Sequence, residues 1–118
     1  MDRANSPAYQ VVAKQRAVLR VFEAIERAVG TGSSAALSHT TLMYEFHCGH
    51  IAIRRSLPLL VDLGLIEIDR GRHNVNVFRL SRRWAQVTAD DAQMALLAYT
   101  QKKRGGGQGT SAMRGTSP

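Results

Sequence analysis

Residues 47–50 read His-Cys-Gly-His, with His39 a little upstream. Two imidazoles and the chain's only cysteine within four residues are the side-chain types that hold zinc or make a reactive thiol. The spacing argues against both. Adjacent His47 and Cys48 would strain to reach one tetrahedral ion at ligand distances of about 2.0–2.3 Å. No C-x-x-C or H-x3-H pattern accompanies them, and no acid–base constellation stands beside Cys48 in the sequence. Paired carboxylates are lacking too, and the GGGQG stretch is followed by no lysine and opens no helix. The expectation is a protein that is not an enzyme and carries no metal and no cofactor. A single cysteine cannot close an internal disulfide, so nothing here calls for an oxidising compartment.

What positions His-Cys-Gly-His is legible in the flanking patterns. Ser6-Pro7 reads as an N-cap followed by proline at the first helical position. From Pro7 to Val29 the apolar residues Val11, Val18, Phe22, Ile25 and Val29 recur at helical steps, and Gly30 ends the run. Ala35–Leu37 is a candidate short strand. Ser38 caps a second helix over about His39–Phe46, with Leu42, Met43 and Phe46 on one face. A third helix runs from about His50 to Leu63, with Ile53, Leu57, Leu60 and Leu63 as its apolar stripe and Gly64 as its end. Pro58 falls inside it and either bends or breaks it.

The period then changes from helical to alternating. Leu65–Asp69 and Val75–Leu80 flank the polar turn Arg70–Asn74, which predicts a β-hairpin with Ile66, Ile68, Phe78 and Leu80 on its inner face. Trp84 is expected to pack over the sheet edge. A last helix follows, capped by Thr88, with Asp90 and Asp91 in its first turn and Lys102, Lys103 and Arg104 in its last. Its apolar residues Ala92, Ala95, Leu96 and Tyr99 suit either the first helix of the same chain or a second copy.

The 118 residues suffice for one domain with one modest core. Sixteen Lys and Arg against nine Asp and Glu give a net charge of +7 and an isoelectric point near 10.5. A balance that basic points to a polyanion, either nucleic acid or an anionic membrane face. Residues 47–83 hold seven arginines and three acids, a surplus of +4. The N-terminus shows no apolar signal core, and the longest apolar run, Leu57–Val61, is far short of the ~20 residues of a membrane span. The expected location is cytoplasmic, in association with the nucleoid.

The stretch LMYEFHCGHIAIRRSLPLLVDLGLI, followed by EIDRGRHNVNVFRL, resembles the winged helix-turn-helix family of DNA-binding domains, as found in small bacterial, phage and plasmid regulators. The most specific part is the third helix ending in L-x-x-L-x-x-L-G-L-I and leading straight into a basic-tipped hairpin. The resemblance implies a mainly α fold with a small β-hairpin wing: a three-helix core plus an extra C-terminal helix. The DNA-binding domain is expected over 6–84, and the residues around it predict a flexible N-terminus over 1–5, a packing or dimerisation helix over 85–104 and, from its Gly, Ser and Thr content, a disordered tail over 105–118. In that frame His-Cys-Gly-His is the turn between the second and third helices. His47 takes a left-handed conformation, Cys48 is a small buried apolar residue and Gly49 caps the third helix.

The same resemblance places the N-terminal half of the third helix in the major groove. Arg54 and Arg55 are its candidates for base or phosphate contact, Ile51 for a thymine methyl and His50 for a phosphate; on the helical wheel Ile51, Arg55 and Asp62 stand opposite the core, with Arg54 and Ala52 on the flanks. The wing tip, Arg70, Arg72, His73 and Asn74, suits the minor groove or the backbone. Lys14, Arg16, Arg20, Arg82 and Arg83 are further candidates for phosphate contact or plain surface charge. The expected partners are double-stranded DNA and a second copy of the chain, through the first and last helices. No membrane or small-molecule partner is evident. Sequence-specific transcriptional regulation is the leading expectation. The alternatives are an accessory role in replication, partition or recombination, and use of the winged helix as a protein-docking module.

Overall fold

The computed structural model describes residues 2–73 and 75–105, with side chains to residue 101. These residues form an α+β globule of five α-helices and one three-stranded antiparallel sheet. In chain order the elements are α1 (Pro7–Ala13), α2 (Arg16–Val29), β1 (Ala35–Ser38), α3 (His39–Tyr44), α4 (His50–Asp62), β2 (Ile66–Arg70), β3 (Val75–Leu80) and α5 (Ala89–Gly105). Short 3-10 turns occupy Arg3–Asn5 and Arg83–Gln86.

The long first helix expected from the sequence is two helices. Lys14 closes α1, and Gln15, at φ −113° and ψ 94°, is extended. Val12 and Val18, on either side of the break, are both buried. The break at residues 14–15 turns Val12 inward and leaves Val11 half-buried. It also lets α1 pack on α5 while α2 packs on α4.

The helix starts follow the side-chain chemistry. Ser6 Oγ accepts the Tyr9 N–H at 3.2 Å, Ser38 Oγ the Thr41 N–H at 3.0 Å and Thr88 Oγ1 the Asp91 N–H at 3.1 Å. The Asp91 carboxylate in turn accepts the Thr88 N–H at 3.2 Å, which completes a capping box. Each such cap is worth about 1 kcal/mol.

Residues 1–5, expected as a flexible end, include the turn Arg3–Asn5. There the Arg3 guanidinium stacks on the rings of Tyr9 and Phe22 and pairs with Glu26 at 2.7 Å. Residues 85–104, expected to pack on the first helix or on a second copy, include α5, which contacts α1 and α4 of the same chain.

Helix α4 runs unbroken through Pro58, which is exposed. The proline withholds one N–H from the ladder, yet Ile53, Leu59, Leu60 and the following Leu63 are all buried and hold the helix in place. Leu59 is the surprise, and Leu57 is only half-buried. Covered by α2 on one side and α5 on another, α4 buries a wider stripe than its apolar period shows.

The sheet order is β1-β3-β2. β2 and β3 form the hairpin, pairing Ile66 with Leu80, Ile68 with Phe78 and Arg70 with Asn76. β1 adds to the far side of β3, pairing Ala35 with Phe78 and Ser38 with Val75. On the inner face Ile66 and Phe78 are buried and Ile68 half-buried, whereas Leu80 is 37% exposed. Leu80 ends its strand and lines an open cleft with Arg3, Val29 and Trp84, so nothing covers it fully. Trp84 packs against the core, as expected for a sheet-edge residue. The tail 106–118, expected to be disordered, lies outside the described residues, as do the side chains of Lys102, Lys103 and Arg104.

Candidate functional site

The His-Cys-Gly-His segment is the link between α3 and α4. His47 is left-handed at φ 58°, which reverses the chain, and the Cys48 N–H donates back to the Leu42 carbonyl at 3.1 Å. Cys48 is buried, and burial pushes its thiol above the usual range, with the Arg20 charge opposing in part. A thiol held protonated in a core is a packing group, not a nucleophile. Gly49 begins α4 at φ −71° and ψ 148° and offers no side-chain cap.

The residues singled out on α4 separate into three directions. His50, Ile51 and Arg54 are exposed, Ile51 at 62%, and His50 and Arg54 share a face at the four-residue step. Ala52 is half-buried and turns toward α2, where it lines a cleft of about 430 Å³ with Arg16, Arg20, Glu23, Cys48 and Gly49. Arg55 is half-buried on the opposite flank, in a narrow cleft with Pro58, Asp62 and the α5 residues Ala95 and Tyr99. The helical wheel read from the sequence sets Arg55 opposite the core and Arg54 on the flank, whereas in the structure Arg54 is exposed and Arg55 half-buried. The structure separates them, because α5 covers the flank on which Arg55 lies.

At the hairpin tip Arg70, Arg72 and His73 are exposed, and His73 is left-handed at φ 56°. The Gly71 N–H donates to the Val75 carbonyl at 2.7 Å, and the Val75 N–H to the Arg72 carbonyl at 3.1 Å. A Cβ at Gly71 would stand 2.6 Å from the Val75 oxygen, so the turn admits only glycine. Asn74, the fourth tip candidate, lies outside the described residues.

Not every arginine of this half is free to meet a partner. Arg79 pairs with Glu67 and Asp69 across the hairpin. Arg83 donates to the Val61 carbonyl at the end of α4, a cation on the negative end of a helix dipole. Other exposed arginines are Arg16, Arg20 and Arg27 on α2, Arg54 on α4, Arg70 and Arg72 at the tip, and Arg82.

One relationship is not visible in the sequence. His39 opens α3 and His50 opens α4, and the fold brings their rings together, with Nε2 of His39 2.7 Å from Nδ1 of His50. The ring centroids are 4.7 Å apart and the planes meet at 68°. Burial, and then the charges of His50 and Arg54, hold the His39 imidazole below its ordinary value of 6.5. The only signal in the sequence is two histidines eleven residues apart, each at the first position of a helix. Among the described residues no group of three or more His, Cys, Asp or Glu side chains gathers, and no helix is long and apolar enough to cross a membrane.

No family model, curated protein or solved structure matches this chain.

Proposed function

We propose that the chain is a sequence-specific binder of double-stranded DNA, a winged helix-turn-helix protein acting as a small transcriptional regulator. The observation that carries the reading is the build of α4. Its C-terminal half is buried against α2 and α5, its N-terminal half presents His50, Ile51 and Arg54 to solvent, and three residues link it to a hairpin with two exposed arginines at the tip. The element order α2, β1, α3, α4, β2, β3 and the sheet order β1-β3-β2 support the winged-helix assignment.

In this mechanism the first two turns of α4 enter the major groove. Arg54 donates to a guanine edge or a phosphate, and Ile51 covers a thymine methyl. The tip residues Arg70, Arg72 and His73 grip the minor groove or backbone, and Arg16 and Arg20, beside the start of α4, take phosphates. Arg55, turned toward α5, contributes less than Arg54. The last helix packs on the first within one chain, so a homodimer would use what α5 leaves exposed, Met94 and Leu97.

A second reading is favoured by one observation. Tyr44, 71% exposed, and Ile51 are large apolar groups left in water on successive helices, which suits a protein-docking surface. Fluorescence anisotropy with a pool of random duplexes separates the two. DNA binding through about four phosphate contacts weakens by roughly a hundredfold or more between 50 and 200 mM salt. A chain that binds no duplex at low salt overturns the DNA reading and leaves the docking surface.

A further inference from the structure

We propose that His39 is a positioning residue for a DNA phosphate contact made by His50. Its Nε2–H donates to Nδ1 of His50 and so presents the Nε2–H of His50 to the duplex. The inference rests on the DNA-binding reading and deepens it by a residue that touches no DNA itself.

The geometry sets the roles. His39 Nε2 and His50 Nδ1 stand at 2.7 Å, the length of a short N–H···N hydrogen bond. One nitrogen of the pair carries the hydrogen, and in each neutral imidazole the other ring nitrogen then takes the opposite role. A hydrogen on His39 Nε2 makes both rings Nε2–H tautomers. A hydrogen on His50 Nδ1 makes both Nδ1–H tautomers and leaves a bare lone pair on the outer edge of His50. A phosphate oxygen only accepts, so that lone pair is useless to it, and the first arrangement is the one that fits DNA. It is also the tautomer that the free imidazole side chain favours in water. Burial, and then the charges of His50 and Arg54, disfavour a second proton on His39, which keeps it a single-proton donor.

The placement supplies the rest. His50 is exposed at the first position of α4, and its Nε2 lies on the ring edge turned away from His39. Arg54, four residues on along the same face, is exposed as well, so a phosphate met by His50 also meets a cation. His39 is half-buried at the start of α3, where the Ser38 cap fixes the backbone. The two ring planes meet at 68°, so the contact sets the plane of the His50 ring as well as its tautomer. An exposed side chain without such an anchor samples several rotamers, and ordering it on the duplex costs affinity. Held by His39, the donor is in place before DNA arrives.

The test has two arms, both on the full chain at pH 7.5. A proton–nitrogen NMR spectrum of the imidazoles without DNA should show His50 with Nδ1 bare and Nε2 carrying the hydrogen. This arm decides the tautomer without any substitution. The second arm is fluorescence anisotropy with a labelled pool of random-sequence duplexes. It compares wild type with His50→Leu, His39→Leu, the double change, and His39→Gln, whose amide nitrogen can stand where Nε2 stood, each checked for native circular dichroism. His50→Leu and His39→Leu should each weaken binding by about five- to tenfold, and the double change by no more than either alone. His39→Gln should bind within about twofold of wild type. A hydrogen on His50 Nδ1 overturns the proposal. So does a His39→Leu or His50→Leu chain that binds like wild type, or a His39→Gln chain that binds as weakly as His39→Leu. In those cases duplex binding by wild type leaves the DNA-binding reading standing. No duplex binding by wild type overturns that reading and the proposal with it.

Discussion

The carbonyl of Gly64 accepts the Trp84 N–H at 3.0 Å, tying the chain that leaves the sheet to the end of α4. Gly64 sits at φ 73°, and its own N–H and that of Leu65 close the helix on the carbonyls of Val61 and Leu60, a Schellman end. A Cβ there would lie 2.7 Å from the Trp84 nitrogen and 2.8 Å from the Arg83 carbonyl carbon, both backbone atoms that cannot swing away. Gly64→Ala is therefore expected to cost about 2–3 kcal/mol, the left-handed penalty plus the clash. Thermal unfolding should show the melting temperature falling by about 10 °C. An unchanged melting temperature would mean that α4 ends in some other way.

The Ser56 side chain is wholly buried on α4, and its hydroxyl has no hydrogen-bond partner. A buried hydroxyl left unpaired carries its desolvation cost with nothing in return. Ser56→Ala removes that cost at nearly constant volume. It should stabilise the fold by about 1 kcal/mol in a urea titration with unchanged slope. A loss of stability would show that the hydroxyl is bonded after all.

Much of this fold is legible in the sequence, and the gaps have physical causes. The caps Ser6, Ser38 and Thr88, the end at Gly64 and the hairpin register are local signals, and the structure repeats them. The break at Lys14–Gln15 is not legible, because a helical period of apolar residues shows which side is apolar and not whether the axis stays straight. Only the demand of α5 and α4 for separate faces imposes it. The candidate site is legible in part. On a lone helix Arg55 stands opposite the apolar stripe and Ala52 on a flank, and the neighbours that partly cover them come from 43 and 36 residues away, counting from Arg55 to Ala98 and from Ala52 to Arg16. Arg79 and Arg83 look like free charge in the sequence because their partners, Asp69 and the Val61 carbonyl, lie across a turn. His39 and His50 meet only when two helix starts are brought side by side.

The His39–His50 contact also makes a prediction about pH. The His39 value lies below 6.5 in the folded chain, chiefly through burial. Between that lowered value and 6.5 the unfolded chain binds more protons than the native one. The native state is thus at no disadvantage above pH 6.5 and loses stability as pH falls through the window. His39→Gln should flatten this part of the pH–stability curve measured by urea unfolding from pH 7.5 to 5. A slope identical to that of wild type would place the acid sensitivity elsewhere.

Charge placement divides the arginines. Arg79 and Arg83 are engaged within the chain, whereas Arg70 and Arg72 face solvent at the hairpin tip. Arg70→Ala with Arg72→Ala should weaken duplex binding and lower the slope of log affinity on log salt by about 2, one for each phosphate no longer neutralised. Arg79→Ala should leave that slope unchanged while leaving Glu67 and Asp69 unpaired. Equal effects of the two changes would mean that the hairpin acts only through its net charge.

The central claim is that the first two turns of α4 read DNA sequence. The most direct measurement is selection from a random pool of duplexes followed by sequencing of the bound fraction, with wild type and Arg54→Ala run side by side. An enriched motif that Arg54→Ala loses or relaxes at one position, at a cost of about 1–3 kcal/mol, is the predicted result. A two-fold symmetric motif would add that two copies bind together. A bound fraction with no enriched sequence, or a motif unchanged by Arg54→Ala, would contradict sequence reading through this helix.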